Sequence, residues 1–237
     1  HWGASEDDVI KNKLIDFHLS LPGLIPENII SSSEIVELTT RNFLSKDYKN
    51  NHLEKYYDII TIGRKVKAKR YLEFFLIIKK VMKEKPDLKV MIVAIEDEKR
   101  KKSTFDYLFE ENFNEIFSEP EKKNITIYSE KEYLDRTEII DLLNKSKIFL
   151  FTSIKEGVAK VTGEAALCGL KILIFKNFRG NAIYGIDEKQ YSLFDDIDDC
   201  VSKVIDMIND TSLNNFDNED LYDCLLYTSD AADERRR

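Results

Sequence analysis

The sequence predicts an α/β fold in which a parallel sheet carries helices on both faces. From residue 57 onward, short apolar runs rich in β-branched and aromatic residues alternate with segments whose apolar side chains recur at helical spacing. Five such runs occur, and helix-like segments separate them. This alternation is typical of a Rossmann-like sheet. The chain has 237 residues, of which 43% are hydrophobic and 34% charged, as in ordinary globular proteins.

The predicted elements follow one another in regular order. The first strand covers residues 57–62 and ends at Gly63, and the helix after it covers residues 69–85 and ends at Pro86. The later strands are predicted over residues 88–94, 124–128, 147–152 and 171–176. The later helices are predicted over residues 103–117, 132–145, 161–168 and 196–208. Because ligands bind at the carboxyl ends of the strands in such sheets, the loops after residues 62, 152 and 176 are the expected places for a site.

Composition argues against several functional classes. The longest apolar runs fall far short of the roughly 20 residues that a membrane-spanning helix requires. Three cysteines, with no Cys-x-x-Cys or His-x-x-x-His spacing, predict neither a disulfide framework nor a metal site. The net charge of −8 argues against a nucleic-acid partner, although residues 64–85 are strongly basic.

A glycine and two cations follow the first predicted strand. Gly63 and Arg64 stand at the end of the strand, and Lys69 stands at the start of the helix. Free backbone N–H groups and two cations near one point suit a diphosphate. A glycine after a strand and a basic first helical turn are both common, so this motif alone is better interpreted as a solvated surface.

Two carboxylates follow the fourth predicted strand. Glu156 lies in the loop, close to a helix N-terminus whose N–H groups can hold a phosphate. Glu164 lies in the helix, where its carboxylate can accept hydrogen bonds from the 2′,3′-diol of a ribose. Taken singly, Glu156 is better interpreted as a solvated loop acid, and Glu164 as a favourable charge near a helix N-terminus.

Taken together, these elements resemble the donor-binding domain of the group 1 retaining glycosyltransferases, which have the GT-B fold. That family carries a strand, G-R-x-x-x-x-K and a helix, and later a strand, S-x-x-E-G and a second Glu after seven intervening residues. The residues that match the first motif are Gly63, Arg64 and Lys69. Those that match the second are Ser153, Glu156, Gly157, Glu164, Ala165 and Gly169. The resemblance covers about residues 57–210.

The resemblance implies a role for each matched residue. Arg64 and Lys69 contact the donor diphosphate, Glu164 binds the ribose, and Glu156 lies near the transferred sugar. Catalysis thus falls to Glu156, Arg64 and Lys69, because the two cations stabilise the departing diphosphate without an obligatory metal. The other donor-binding residues are Gly63, Ser153 and Gly157. No cofactor is expected, since the nucleoside-diphosphate sugar is the substrate.

The chain departs from the family pattern at two places. The family usually has glycine after the Lys, where this chain has Arg70, and a proline in the turn before the fifth strand, where residues 169–171 contain none. Neither change removes a charged ligand. Gly180 stands where the family has a glycine after the fifth strand, and we interpret it as a plain turn glycine.

The resemblance implies a glycosyltransferase of the hexosyltransferase type. It would transfer a sugar from a nucleoside-diphosphate donor, such as a UDP-sugar, to a hydroxyl of a saccharide or lipid-linked acceptor with retention. Two alternatives stay open: a nucleotide-sugar epimerase of the same architecture, and a nucleotide-binding module without turnover. Epimerases do not require a pair of carboxylates such as Glu156 and Glu164, so this pair favours a glycosyltransferase over an epimerase.

Family members commonly build cell-surface polysaccharides or glycolipids at the cytoplasmic membrane. The resemblance therefore implies a cytoplasmic protein, and peripheral attachment of the full-length protein to the inner face of that membrane stays open. The sequence itself offers no amphipathic anchor.

The same resemblance predicts how the chain is divided. Residues 57–210 form the nucleotide-sugar-binding domain, residues 1–56 are the remnant of an acceptor domain with a linker, and residues 211–223 are a terminal segment. Residues 224–237 resemble a translated sequencing adapter and are left out of the fold prediction. The chain is thus expected to be a truncated fragment with negligible transferase activity of its own.

Overall fold

The computed structural model describes residues 18–20, 35–37, 44–96, 106–129, 134–181, 186 and 188–210. The terminal segment 211–223 and the adapter-like residues 224–237 lie outside the described residues. The strands are β1 (His18–Ser20), β2 (Ile35–Glu37), β3 (Tyr57–Arg64), β4 (Val90–Ile95), β5 (Ile125–Tyr128), β6 (Ser146–Phe151), β7 (Lys155–Val158), β8 (Lys171–Phe175), β9 (Arg179–Asn181) and β10 (Tyr191–Phe194). The helices are α1 (Tyr71–Glu84), α2 (Phe109–Ile116), α3 (Glu119–Lys122), α4 (Arg136–Asn144), α5 (Lys160–Leu167) and α6 (Ile197–Asn209), with a 3-10 turn over Lys67–Lys69.

A parallel sheet organises the described part of the chain. Its six strands run in the order β10-β8-β6-β3-β4-β5, and every neighbouring pair is parallel. Two smaller parallel pairs, β1 with β2 and β7 with β9, lie outside this sheet. β3 is central, so the first site loop leaves the middle of the carboxyl edge, where ligands bind in such sheets.

Successive residues of β3 point into two separate core layers. Ile59 belongs to a buried cluster with Phe74 of α1 and Val204 of α6. Ile60 belongs to a second cluster, together with Leu143 of α4 and Ala165 of α5. Because side chains alternate along a strand, the two clusters lie on opposite faces of the sheet. The predicted α/β sheet with helices on both faces is therefore confirmed.

The structure contains five strands (β1, β2, β7, β9 and β10) and one short helix (α3) that the sequence did not predict, and two predicted helices start later in the chain. β10 was not predicted, because only Phe194 of its four residues is buried and the apolar pattern is weak. The second predicted helix begins at Phe109 rather than at residue 103. The third begins at Arg136 rather than at residue 132, because the Asp135 carboxylate accepts a hydrogen bond from the backbone N–H of Glu138 and caps the helix there.

Residues 44–56, predicted to be part of an acceptor-domain remnant and linker, lie against this domain. The Asn144 side chain accepts a hydrogen bond from the backbone N–H of Asn51 (2.6 Å) and donates one to the carbonyl of Lys49 (3.0 Å). Tyr56 and Tyr57 both donate backbone hydrogen bonds to the carbonyl of Lys145. In the described part of the chain, no helix has the length and apolar character needed to cross a membrane.

Candidate functional site

The loop after β3 brings Lys69 back over Gly63. A Cβ atom built on Gly63 would lie 2.8 Å from Cε and 3.3 Å from Nζ of Lys69, so the lysine side chain occupies the space that a side chain at position 63 would need. Arg64, the last residue of β3, pairs in register with Ile95 of β4. The 3-10 turn over Lys67–Lys69 produces this reversal, and the first predicted motif therefore forms one compact loop.

The loop after β6 is fastened to that turn. The Thr152 hydroxyl donates a hydrogen bond to the carbonyl of Lys69 (2.7 Å), and the Ser153 hydroxyl donates one to the carbonyl of Ala68 (3.2 Å). The backbone N–H of Ile154 also donates to the carbonyl of Ala68 (2.9 Å). Thr152 and Ser153 are buried. The two predicted motifs are thus joined through backbone carbonyls of the first and hydroxyls of the second.

Glu156 lies in a short strand rather than in a loop. β7 pairs in parallel with β9, and the backbone N–H of Arg179 donates to the carbonyl of Ile154 (2.8 Å). Gly157 belongs to β7 and Gly180 to β9. The interpretation of Gly180 as a turn glycine is therefore wrong, because Gly180 lies in β9, which follows a short turn after β8 and forms backbone hydrogen bonds with the Glu156 segment.

The Lys69 ammonium forms an ion pair with the Glu156 carboxylate. The two side chains are 13% and 21% exposed. The ammonium also lies 5.2 Å from the centre of the Phe151 ring. Burial and the nearby Arg64 guanidinium lower the pKa of Lys69 to about 7, whereas the contact with Glu156 favours its charged form. Two cations and one carboxylate therefore meet in a partly desolvated place at the carboxyl edge of the sheet.

Arg70 follows this lysine in a left-handed backbone conformation, with φ 54° and ψ 52°. Its guanidinium lies 4.2 Å from the centre of the Phe175 ring, and its Nε donates to the Glu73 carboxylate (2.9 Å). Left-handed conformations favour glycine, which is the residue expected here from the family pattern. The departure at position 70 therefore leaves the backbone path of the glycine in place.

Glu164 lies on α5 among a different set of groups. Its carboxylate is hydrogen-bonded with the Tyr48 hydroxyl. Burial raises the pKa of Glu164, while Lys160, the Tyr48 hydroxyl and Arg136 act in the opposite direction. The structure thus brings Gly63, Arg64, Lys69, Ser153 and Glu156 together, and it places Glu164 beside Tyr48.

Two residues near the site carry no sequence signal. Tyr48 stands in a polar stretch that reads as a linker, and its contact with Glu164 depends on tertiary structure alone. Lys65 belongs to the basic stretch that reads as a solvated surface, yet it is buried. Its ammonium contacts the carboxylates of Glu96 (3.2 Å) and Glu110 and lies 4.7 Å from the centre of the Phe109 ring. Within the described ranges, no group of three or more His, Cys, Asp or Glu side chains is arranged to hold a metal ion.

The solved structures with a similar fold include the following three, each with less than 20% sequence identity to this chain. The crystal structure of TarM is 18% identical in sequence and superposes with a TM-score of 0.67. The match covers 90% of this chain and 40% of the TarM chain. A mutant of S. aureus TarM in complex with Fondaparinux, alpha-GlcNAc-glycerol and UDP is 17% identical, covers 84% and 38%, and gives 0.64. The C-terminal domain of a glycosyl transferase group 1 family protein (LpcC) from Francisella tularensis is 19% identical, covers 81% and 97%, and gives 0.55.

These similarities show that the described sheet has a fold found in GT-B glycosyltransferases. The chain spans about two fifths of the length of TarM and almost all of the LpcC domain. No curated protein sequence matches the chain. The sequence model of the family described as glycosyl transferases group 1 matches residues 44–219, which is most of the chain. The chain therefore belongs to the group 1 glycosyl transferases.

Proposed function

We propose that this chain binds the nucleoside-diphosphate sugar of a hexosyltransferase-type glycosyltransferase, which transfers the sugar to an acceptor hydroxyl with retention. The observation that carries the proposal is the ion pair between Lys69 and Glu156. It joins one residue of each predicted motif at the carboxyl edge of the sheet. Such edges are where parallel α/β sheets bind nucleotides.

The charges at this place suit a diphosphate. Arg64 and Lys69 repel each other, and the repulsion contributes to the low pKa of Lys69. A bound diphosphate would relieve that repulsion and would compete with Glu156 for the Lys69 ammonium. As the glycosidic bond breaks, negative charge grows on the leaving diphosphate, and the two cations stabilise it. Glu156, released from Lys69, is then available to the transferred sugar.

The remaining donor-site residues shape the loops. Gly63 keeps open the space that Lys69 crosses, and Ser153 ties the second loop to the first. Gly157 lies next to Glu156 in β7. Glu164 binds the ribose hydroxyls through its carboxylate. This assignment of Glu164 rests on the family resemblance, and its partly buried carboxylate is compatible with a ground-state binding role.

The UDP in the S. aureus TarM complex supports a UDP-sugar as the donor, and the alpha-GlcNAc-glycerol in it supports a saccharide-type acceptor. A lipid-linked acceptor at the inner face of the cytoplasmic membrane, as in polysaccharide synthesis, fits the same chemistry. A narrower function, nucleotide binding without turnover, requires only the diphosphate-binding cations Arg64 and Lys69.

A thermal-shift titration with UDP, GDP, ADP and inorganic phosphate tests donor binding. One nucleoside diphosphate should raise the unfolding midpoint, because a ligand of the native state stabilises it by mass action. Arg64→Ala should abolish the rise. Lys67→Ala, which removes an exposed cation from the same loop, should retain it. No rise with any of the three nucleotides would refute the proposal.

Turnover is tested separately. Release of free nucleoside diphosphate only when acceptor is present would support transfer over epimerisation, and NMR of the product would report its anomeric configuration. Nucleotide binding with no release of free nucleoside diphosphate would support the narrower function, binding without turnover.

A further inference from the structure

Residues 44–56, which precede β3, lie across α5. A Cβ atom on Gly163 of α5 would meet Cδ1 of Leu44 at 2.8 Å. A Cβ atom on Gly169, just after α5, would meet Nδ2 of Asn50 at 2.5 Å. A glycine within the helix and a second glycine just after it therefore let the segment approach closely. Between Leu44 and Asn50 stands Tyr48, whose side chain is 6% exposed and packs in the core cluster of α5.

This packing places the Tyr48 hydroxyl on the Glu164 carboxylate. The hydroxyl donates the hydrogen bond, since an ionised carboxylate can only accept. The position of the segment is fixed on its other side by Arg136 of α4, whose Nη1 donates to Ser45 (3.1 Å) and pairs with Asp47 (2.5 Å). The position of Tyr48 is thus fixed by the packing of its ring in the core and by the contacts of Arg136 with Ser45 and Asp47.

We propose that Tyr48 is a positioning residue for the nucleotide ribose. Its hydroxyl fixes one oxygen of Glu164, so that the carboxylate keeps the orientation in which its remaining acceptor positions receive the ribose hydroxyls. This inference rests on the proposed role of Glu164. It adds a residue from outside the two sequence motifs to the donor site.

The hydroxyl also helps to keep Glu164 ionised. The charged or titratable groups that face this carboxylate are Tyr48, Lys160, Arg136 and Cys168. Burial favours the protonated form of Glu164, and the hydrogen bond from Tyr48 opposes it. A protonated carboxyl group loses acceptor capacity toward a diol. Loss of the hydroxyl should therefore weaken ribose binding most at low pH.

The test compares Tyr48→Phe with Tyr56→Phe in the full chain. Tyr56 belongs to the same segment and is exposed, so its variant removes an equivalent hydroxyl away from Glu164. Calorimetric titration uses UDP and 2′-deoxy-UDP at pH 6 and pH 8. Tyr48→Phe should weaken UDP binding about tenfold, as expected for a hydrogen bond to a charged group. Its effect on 2′-deoxy-UDP should be smaller, and the loss should be larger at pH 6.

Equal losses for the two nucleotides, or no loss for UDP, would overturn the inference, because a merely structural tyrosine does not change the preference for the 2′-hydroxyl. A second readout needs no nucleotide. ¹³C NMR titration of the Glu164 carboxyl should show a higher pKa in Tyr48→Phe than in wild type, and an unchanged pKa would also overturn it. Failure of wild type to bind any nucleotide would instead refute the proposed function and the ribose role with it, whatever the NMR result.

Discussion

Arg70 stacks its guanidinium on the ring of Phe175, 4.2 Å from the ring centre, while its own backbone is left-handed. For a residue with a Cβ atom that conformation costs about 1–2 kcal/mol. The stack and the ion pair with Glu73 offset this cost. The residue that departs from the family glycine thus keeps the glycine's backbone path and adds two contacts.

Two substitutions of Arg70 should separate the effect of its backbone conformation on stability from the effect of its side-chain contacts. Arg70→Ala and Arg70→Gly both lose the stack and the ion pair, but only glycine relieves the left-handed strain. We expect the free energy of unfolding of Arg70→Gly to exceed that of Arg70→Ala by about 1 kcal/mol. Urea denaturation of both variants measures the difference. An alanine variant as stable as the glycine variant would show that the backbone at position 70 is not left-handed in solution.

Local pattern was sufficient to predict most of the fold and the closeness of two motif residues, Lys69 and Glu156. The strand that ends near Gly63 and the helix that ends near Pro86 have clear apolar periods and clear stops, and the structure has both. The motif residues Lys69 and Glu156 were expected at neighbouring loops, because parallel strands present their carboxyl ends at one edge. Their contact agrees with that expectation.

The other features of the site depend on tertiary contacts, which a local sequence pattern cannot predict. Tyr48 meets Glu164 only because a polar stretch lies across α5, and Lys65 is buried only because Glu96 and Glu110 reach it. The short strand that contains Glu156 forms by pairing with β9, so its sequence alone reads as a loop. A buried charge or a docked segment cannot be inferred until its partner is placed.

Gly63→Ala should impair nucleotide binding more than stability. The atoms nearest to the new Cβ atom would be those at the far end of the Lys69 side chain, which can move aside at little cost. The displaced ammonium would then no longer contact the diphosphate. We expect the unfolding midpoint without ligand to stay within about 2 °C of wild type, and UDP affinity to fall about tenfold. Calorimetric titration and thermal unfolding measure the two effects. A large stability loss with unchanged UDP affinity would contradict this role of Gly63.

Gly169→Ala should destabilise the domain. Gly169 has φ +81°, and its Cβ would lie 2.5 Å from Nδ2 of Asn50. Backbone strain and the clash together should lower the free energy of unfolding by about 2–3 kcal/mol. In an Asn50→Ala background the clash disappears, so the same substitution should cost only about 1–2 kcal/mol. Equal costs in both backgrounds, measured by urea denaturation, would mean that residues 44–56 do not pack on α5.

Donor binding should weaken as pH rises through 7, because the diphosphate needs the charged form of Lys69 and the pKa of that group in the free protein is about 7. A phosphate group loses its last proton near pH 6, so between pH 7 and 9 the change belongs to the protein. We expect the affinity for UDP to fall by up to about tenfold per pH unit in that range, with uptake of a proton on binding. Calorimetry in buffers of different ionisation enthalpy measures both quantities. Lys69→Arg keeps its charge throughout the range and should bind UDP with nearly constant affinity. A wild-type profile as flat as that of the arginine variant would show that the contact with Glu156 outweighs burial and Arg64 in setting the charge of Lys69.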